Sequence, residues 1–211
     1  MSLKSVVIMK RYYFLILGYL AFGFLSACRG QLDIGDGGFL SDEPCRAPCF
    51  FGITPDVTTK EQAIEIFQKK FGVGNCDEWP DLKDGHDIIC EPVLVIFNDS
   101  GQIDNIYFSP AKSISIEEVI AKHGQPDAYM VFGSSRENMG RTTSVIMRLY
   151  FDNINTEIVL SEQDGENYFI VSSNIIEEIN YSGNDEWAYW REDAQPWRGY
   201  GEYKGPYWAG P

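Results

Sequence analysis

Cysteine is the residue type in this chain whose spacing most directly suggests chemistry. Five cysteines are present, at positions 28, 45, 49, 76 and 90. Cys45 and Cys49 lie in the stretch PCRAPCFFGITP, and their spacing fits one half of a zinc knuckle, which uses C-x2–4-C pairs. Cys76 and Cys90 do not supply a second pair of this kind, and a redox dithiol favours C-x-x-C. The spacing alone therefore favours neither a zinc site nor a thiol catalyst.

The first 28 residues carry the signals of export. A start with three basic residues and no acid precedes an apolar run from Tyr12 to Leu25. This run is shorter than the roughly 20 apolar residues of a membrane-spanning helix, and small residues follow it, as in a secretory signal peptide. The tetrad LSAC, ending at Cys28, resembles the lipobox of bacterial lipoproteins, in which the signal is cut before the cysteine and the thiol carries a diacylglycerol.

The lipobox resemblance implies a signal peptide at residues 1–27 and a lipidated Cys28. The mature protein is then expected outside the cytoplasm, attached to the bacterial cell membrane through its lipid. The alternative is an uncleaved N-terminal anchor helix with an incidental cysteine. Residues 28–44, which are rich in Gly and Asp, are predicted to form the lipidated start and a flexible tether.

Four cysteines remain once Cys28 is lipidated, and an even number outside the cytoplasm favours disulfides. We predict the pairs Cys45–Cys49 and Cys76–Cys90, because each closes a local loop. The other two pairings and a four-thiolate zinc site remain alternatives. The first pair would form a small loop between the tether and the folded domain, with Phe50 and Phe51 entering the core.

The net charge limits the kinds of partner. The whole chain has a formal net charge of −14, and removal of residues 1–27 with their three basic residues would make it −17. Such an acidic protein is not expected to bind nucleic acid or to be attracted to anionic lipid. We therefore expect the lipid alone to hold it on the membrane.

Two segments of similar order follow the tether, at residues 45–110 and 111–182. The first has a capping-box pattern at Thr58–Glu61, a helix stop at Gly72, and strand patterns over residues 93–97 and 102–108. The second repeats this order with a capping box at Ser115–Glu118, a stop at Gly124, and strand patterns at 145–151 and 154–160. A further strand is predicted at 168–172.

This order predicts an α+β fold. We expect two degenerate helix–loop–β-hairpin units, packed as small antiparallel sheets with helices on one face. The alternative is a pair of unrelated capped helices and hairpins, which many α+β proteins contain.

The stretch EEVIAKHGQPDAY, residues 117–129, is similar to the helix and Gly-x-Pro element of outer-membrane assembly lipoproteins of the BamE/SmpA type. The tandem arrangement resembles the beta-lactamase inhibitor protein, which doubles that unit. Separately, PCRAPCFFGITPDVTTKEQA resembles a motif of uncharacterised bacterial lipoproteins. These resemblances imply a fold that more often binds proteins than catalyses, and they imply no catalytic residues.

Other candidate chemistry is sparse. His86 lies in an acidic loop, residues 81–91, whose carboxylates suit calcium but whose spacing departs from an EF-hand, so a solvated loop is preferred and no metal or cofactor is predicted. His123, at a helix end, is expected to be structural, with a cation suited to the helix dipole there. No hydrolase or phosphate-binding motif is present, although a carboxylate pair for hydrolysis remains an alternative.

The tail, residues 183–211, is unusually aromatic. Its Gly and Pro residues are expected to break any helix, and no strand period persists. Because disordered tails are poor in aromatics, we expect this one to fold back on the domain or to bind a partner. The candidate binding residues are Trp187, Trp190, Trp197, Tyr200, Tyr203 and Trp208.

Together these features predict a membrane-anchored, non-enzymatic module that binds a protein or assists assembly. The alternatives are a cell-wall glycan-binding module that uses the tail aromatics, and an unrecognised hydrolase.

Overall fold

A computed structural model describes residues 34–72, 77–79, 87–90, 92–134 and 144–205. All of these belong to one compact unit, Asp33–Pro211. The predicted mixed α+β class is confirmed, since helices and a large antiparallel sheet occur in the same unit. None of the helices in the described residues is long and apolar enough to cross a membrane.

The described residues form three α-helices, which are α1 (Lys60–Phe71), α2 (Ile116–His123) and α3 (Asn184–Arg191). Both α1 and α2 begin with a capping box. In each box the N-cap hydroxyl accepts a hydrogen bond from the backbone N–H three residues later, and the side chain of that later residue accepts one from the N-cap backbone N–H. The predicted box at Ser115 is confirmed, whereas the first box is Thr59–Gln62, one residue later than predicted. Both helices end at glycines with positive φ, as predicted, because Gly72 (88°) and Gly124 (91°) adopt angles that side chains disfavour.

The described residues also form eleven β-strands, and every pairing between them is antiparallel. Nine belong to one sheet, the main sheet, in the order β1-β2-β3-β4-β9-β7-β6-β5-β10, and β11 pairs with β8 beside it. The strands are β1 (Asp77–Trp79), β2 (Asp87–Cys90), β3 (Val93–Phe97), β4 (Ile103–Phe108), β5 (Ala128–Ser134), β6 (Ser144–Phe151), β7 (Thr156–Asp164), β8 (Asn167–Ile170), β9 (Ile176–Ser182), β10 (Gln195–Pro196) and β11 (Gly201–Lys204).

Strand β9 joins the strands that were expected to form two small sheets. It pairs with β4 on one side and with β7 on the other, so the backbone groups on both of its edges are satisfied. Its inward residues Ile179 and Tyr181 are fully buried. The prediction of separate small sheets is therefore wrong for the described strands, because β9 merges them into one.

The described part of the predicted tether is packed onto the domain. Ile34 and Phe39 are buried, and the Phe39 ring stacks on the imidazole of His123 with centroids 4.6 Å apart. The same ring contacts Tyr181 of β9 at 6.4 Å. Residues 34–44 thus link α2 to the main sheet, and a flexible tether is not what the structure shows there.

Asp36 holds this segment in a tight turn. Its carboxylate accepts hydrogen bonds from the backbone N–H groups of Gly38 (3.0 Å), Leu40 (3.2 Å) and Ser41 (2.9 Å), and from the Ser41 hydroxyl (2.9 Å). Burial alone would raise the pKa of Asp36, but these hydrogen bonds outweigh it and lower the pKa. A single aspartate therefore orders a Gly-rich stretch that composition alone marks as flexible.

The predicted Cys45–Cys49 disulfide is confirmed, with Cα atoms 5.7 Å apart. Its loop leads directly to Phe50, which is fully buried and contacts Phe108 of β4 with centroids 4.7 Å apart. Cys90 of β2 is also disulfide-bonded. Its predicted partner, Cys76, lies outside the described residues, so that pairing stays a prediction.

Candidate functional site

The aromatic tail contains more regular structure than its Gly and Pro content suggests. It forms α3, β10 and β11, so the prediction that no helix forms there is wrong. The N-cap residue of α3 is Gly183, which has no side chain to cap the helix. Asp56 caps the helix instead, because its carboxylate accepts hydrogen bonds from the backbone N (2.7 Å) and the side-chain Nδ2 (2.9 Å) of Asn184, 128 residues away in the chain. A Cβ on Gly183 would lie 2.4 Å from Asp56 Oδ1, so glycine allows this close approach.

Helix α3 packs on the sheet through its tryptophans. Trp187 is buried in a cluster with Ala128, Met130 and Tyr150, and its ring meets that of Tyr150 with centroids 5.7 Å apart. Trp190 is half-buried against the same cluster. These two candidate binding residues therefore act first as packing residues.

The other tail aromatics form a separate group. Tyr203 is buried against Tyr129 of β5, with centroids 4.5 Å apart, and Trp197 stacks on Tyr203 at 5.7 Å. The indole of Trp197 donates to Gln125 Oε1 at 2.8 Å. Tyr200 is 48% exposed, and Trp208 lies outside the described residues. The predicted binding residues thus do not form one exposed aromatic surface within the described chain.

The two faces of the main sheet have different environments. Residues paired across neighbouring antiparallel strands share a face, and Tyr107, Asn180, Glu157 and Tyr150 form one such row across β4, β9, β7 and β6. We call the face that bears this row the Glu157 face. Helix α3 packs on this face through Trp187, against Ala128 and Met130 of β5 and Tyr150 of β6.

A cleft of about 360 Å³ opens on the Glu157 face beside α3. Its apolar wall consists of Phe132, Ile146 and Val159. Its polar lining consists of Ser109, Arg148, Glu177 and Glu178. The volume is within the range of small-ligand and side-chain pockets, so this cleft is the candidate functional site.

Arg148 is the fixed centre of the cleft. Its Nη1 lies 3.0 Å from Oε1 of Glu157, whose side chain is 2% exposed. Its guanidinium carbon lies 4.7 Å from the ring centroid of Phe132 and 5.5 Å from that of Trp190. One ion pair and two cation–π contacts therefore hold this cation, and α3 takes part in the site through Trp190.

Burial perturbs both glutamates on this face. Desolvation raises the pKa of Glu157 to about 7, although Arg148 opposes this shift and Glu178 adds to it. Desolvation also raises the pKa of Glu178, again against the effect of Arg148. Groups with shifted pKa values beside a cleft are more common at functional sites than elsewhere.

No protein-family model, curated protein or solved structure matches this chain. The cleft geometry thus carries the functional interpretation.

Sequence reasoning did not single out Arg148, Glu157 or Glu178. Arg148 and Glu157 lie in segments predicted as strands, whereas Glu178 lies on β9, beyond the last predicted strand. A charge at a strand position between large apolar residues is a signal that could have found Arg148, which lies between Met147 and Leu149, but it does not apply to Glu157 or Glu178. Their association depends on the register of β6, β7 and β9, which the sequence pattern does not give.

The remaining candidate residues have plain outcomes. His123 is buried and its Nε2 lies 2.7 Å from the carbonyl oxygen of Phe39, so its structural role is confirmed. Burial lowers its pKa, so the expected cation at the helix end is disfavoured. His86 and most of the acidic loop lie outside the described residues, and no His, Cys, Asp or Glu cluster suited to a metal occurs in the described part.

Proposed function

We propose that this chain is a lipid-anchored, extracytoplasmic, non-enzymatic module that binds a protein partner through the cleft on the Glu157 face. The observation that carries the proposal is the pre-formed frame of the cleft. Arg148 is held from three sides by Glu157, Phe132 and Trp190. Pre-organised side chains reduce the entropy lost on binding.

The location and architecture belong to the same proposal. The lipobox-like start at residues 25–28 supports lipid attachment at Cys28 and a signal peptide before it. The order α1 then β2–β4, followed by α2 then β5–β7, supports a duplication of one unit across residues 45–110 and 111–182, as in the beta-lactamase inhibitor protein, which this tandem arrangement resembles. A Cys76–Cys90 disulfide would fit the disulfide-bonded state of Cys90.

Cross-linking on intact cells tests the binding proposal if the wild type is compared with a variant in which a larger side chain blocks the cleft. Ile146 lines the cleft and is half-buried, so Ile146→Trp adds an indole to it. Ile175→Trp is the matched control, because Ile175 is 39% exposed and does not line the cleft. We expect a discrete cross-linked protein with wild type and with Ile175→Trp, and its loss with Ile146→Trp. A pattern identical in all three forms would refute binding at the cleft.

Mass spectrometry of the N-terminal peptide tests the anchor. We expect a peptide that begins at Cys28 and carries acyl chains, and a protein that partitions into detergent. An unmodified Cys28 in a water-soluble protein would refute lipid attachment.

A second candidate function is hydrolysis by Glu157 and Glu178. The observation in its favour is that burial raises the pKa of both carboxyls on the face that bears the cleft, to about 7 for Glu157, so that Glu157 can hold a proton near neutral pH. Cell-wall glycan is the substrate class that the sequence suggests. Turnover of purified peptidoglycan that is lost in Glu157→Gln but kept in Glu166→Gln, an exposed site, would favour hydrolysis over binding.

A further inference from the structure

The charges that line the cleft are not balanced. Arg148 is already paired with Glu157 at 3.0 Å, which leaves Glu177 and Glu178 as two further carboxylates in the lining. Within the described residues, neither of these side chains forms an ion pair or a hydrogen bond. The cleft therefore has an uncompensated negative charge beside an apolar wall.

Of these two carboxylates, Glu178 is the one that is partly buried. It is half-buried on β9, directly opposite Val159 of β7, and desolvation already disfavours its charged form. Arg148 offsets only part of this desolvation, so the charged form of Glu178 still destabilises the free protein, and a cation brought by a ligand would reduce that cost. An anionic group would instead add to the repulsion.

The apolar wall indicates what the cation is attached to. Val159 of β7 lies between Arg148 of β6 and Glu178 of β9, and Ile146 lies two residues from Arg148 on β6. Both apolar side chains line the cleft and are half-buried, so they offer a surface for methylene groups. Lysine combines a four-carbon stem with a compact ammonium head, and it buries the stem along apolar surface while the head seeks carboxylates. The volume of about 360 Å³ is ample for one such side chain.

We infer that the cleft receives a lysine side chain of the protein partner, with the stem against Ile146 and Val159 and the ammonium group between Glu177 and Glu178. This inference rests on the proposed function, because it names the chemistry of the partner at that same site. Arg148 fixes the opposite wall and repels the ammonium, which places the head on the Glu177–Glu178 side of the cleft.

Titration of the purified full-length protein with the peptide acetyl-Gly-Lys-Gly-amide, followed by NMR, tests the inference. We expect saturable shifts of the Ile146 and Val159 methyl groups. The same peptide with norleucine in place of lysine keeps the stem without the charge, and we expect it to bind about 10- to 100-fold more weakly, as for loss of charged hydrogen bonds. This comparison uses the wild-type protein, so it does not depend on whether a variant folds.

Two double variants separate a defined site from general attraction to an acidic protein. Glu177→Gln with Glu178→Gln removes the lining carboxylates, and Asp164→Asn with Glu166→Gln removes two exposed acids outside the cleft. We expect the first pair to weaken lysine-peptide binding about 10- to 100-fold and the second pair to leave it within about twofold. Equal weakening by both pairs, or equal binding of the norleucine peptide, would overturn the inference.

The cellular cross-linking experiment separates the two levels of proposal. If Ile146→Trp abolishes capture of the partner but the Glu177→Gln, Glu178→Gln variant captures it normally, the cleft binds a partner and the lysine inference is wrong. If capture is insensitive to Ile146→Trp, the proposed binding function itself is wrong.

Discussion

Glu157 makes the stability of this protein depend on pH in a direction opposite to that of most carboxyls. Burial raises its pKa from 4.5 to about 7, so the folded state retains a proton that the unfolded state has lost over this range. The stabilisation is complete below pH 4.5, is lost as the pH rises towards 7, and changes little above that. The difference of about 2.5 units corresponds to about 3 kcal/mol at 1.36 kcal/mol per unit.

The test compares urea unfolding of wild type and Glu157→Gln at pH 4.5, 6 and 8. The amide resembles the protonated carboxyl, so the free energy of unfolding of the variant relative to wild type should rise by about 3 kcal/mol between pH 4.5 and 8. Glu166→Gln, at an exposed position, should show no such trend. Because the variant and the wild type are compared at the same pH, the effects of the other titrating groups on the free energy of unfolding cancel to first order.

Arg148 provides a second arm of this test. It opposes the shift of Glu157, so Arg148→Met should move the loss of stability to higher pH and deepen it at pH 8, where the buried carboxylate has no partner. A relative stability of Glu157→Gln that stays constant within about 1 kcal/mol across the range would refute the assignment of a raised pKa to Glu157.

Three further predictions concern packing, cross-linking and the buried histidine. Trp187→Ala should lower the free energy of unfolding by about 3–5 kcal/mol, because it empties a buried cluster, whereas Tyr189→Ala at a 67% exposed site should change it little; urea unfolding of both variants checks this. Replacing Cys45 and Cys49 together by Ser should lower the free energy of unfolding by about 2 kcal/mol, as expected for a short closed loop, with wild type compared under the same non-reducing conditions. Burial lowers the pKa of His123, so the free energy of unfolding of wild type relative to that of His123→Gln should fall as the pH drops below 6.5, as measured by urea unfolding of both forms at pH 5 and 7.5; a difference that stays constant would contradict it.

Local signals predicted the helices and hairpins well. The capping residues and stop glycines of α1 and α2 act within one or two turns, so the sequence contains nearly all of the information that places these ends. Alternating apolar residues likewise indicated β3, β4, β6 and β7. The Cys45–Cys49 pair was predictable for the same reason, because its members are close in the chain.

Contacts between distant residues were not predictable in this way. The central place of β9 depends on pairing with β4 and β7 at once, and no local pattern specifies that. The helix in the tail is capped by Asp56, so its own first residues gave no capping signal. Arg148 and Glu157 become a site only through the register of β6 against β7, whose irregularity between Val145 and Met147 a sequence pattern cannot locate.

The hydrogen bonds between Asp56 and Asn184 also set a condition on the order of folding. They join positions 128 residues apart, and closing so long a loop is slow and entropically unfavourable until most other contacts exist. The attachment of α3 to Asp56 is therefore expected among the last steps of folding. A prematurely ended chain would lack this helix and expose Ala128, Met130 and Tyr150 as an apolar patch. Such a patch would make a truncated chain prone to aggregation and a target for chaperones and proteases.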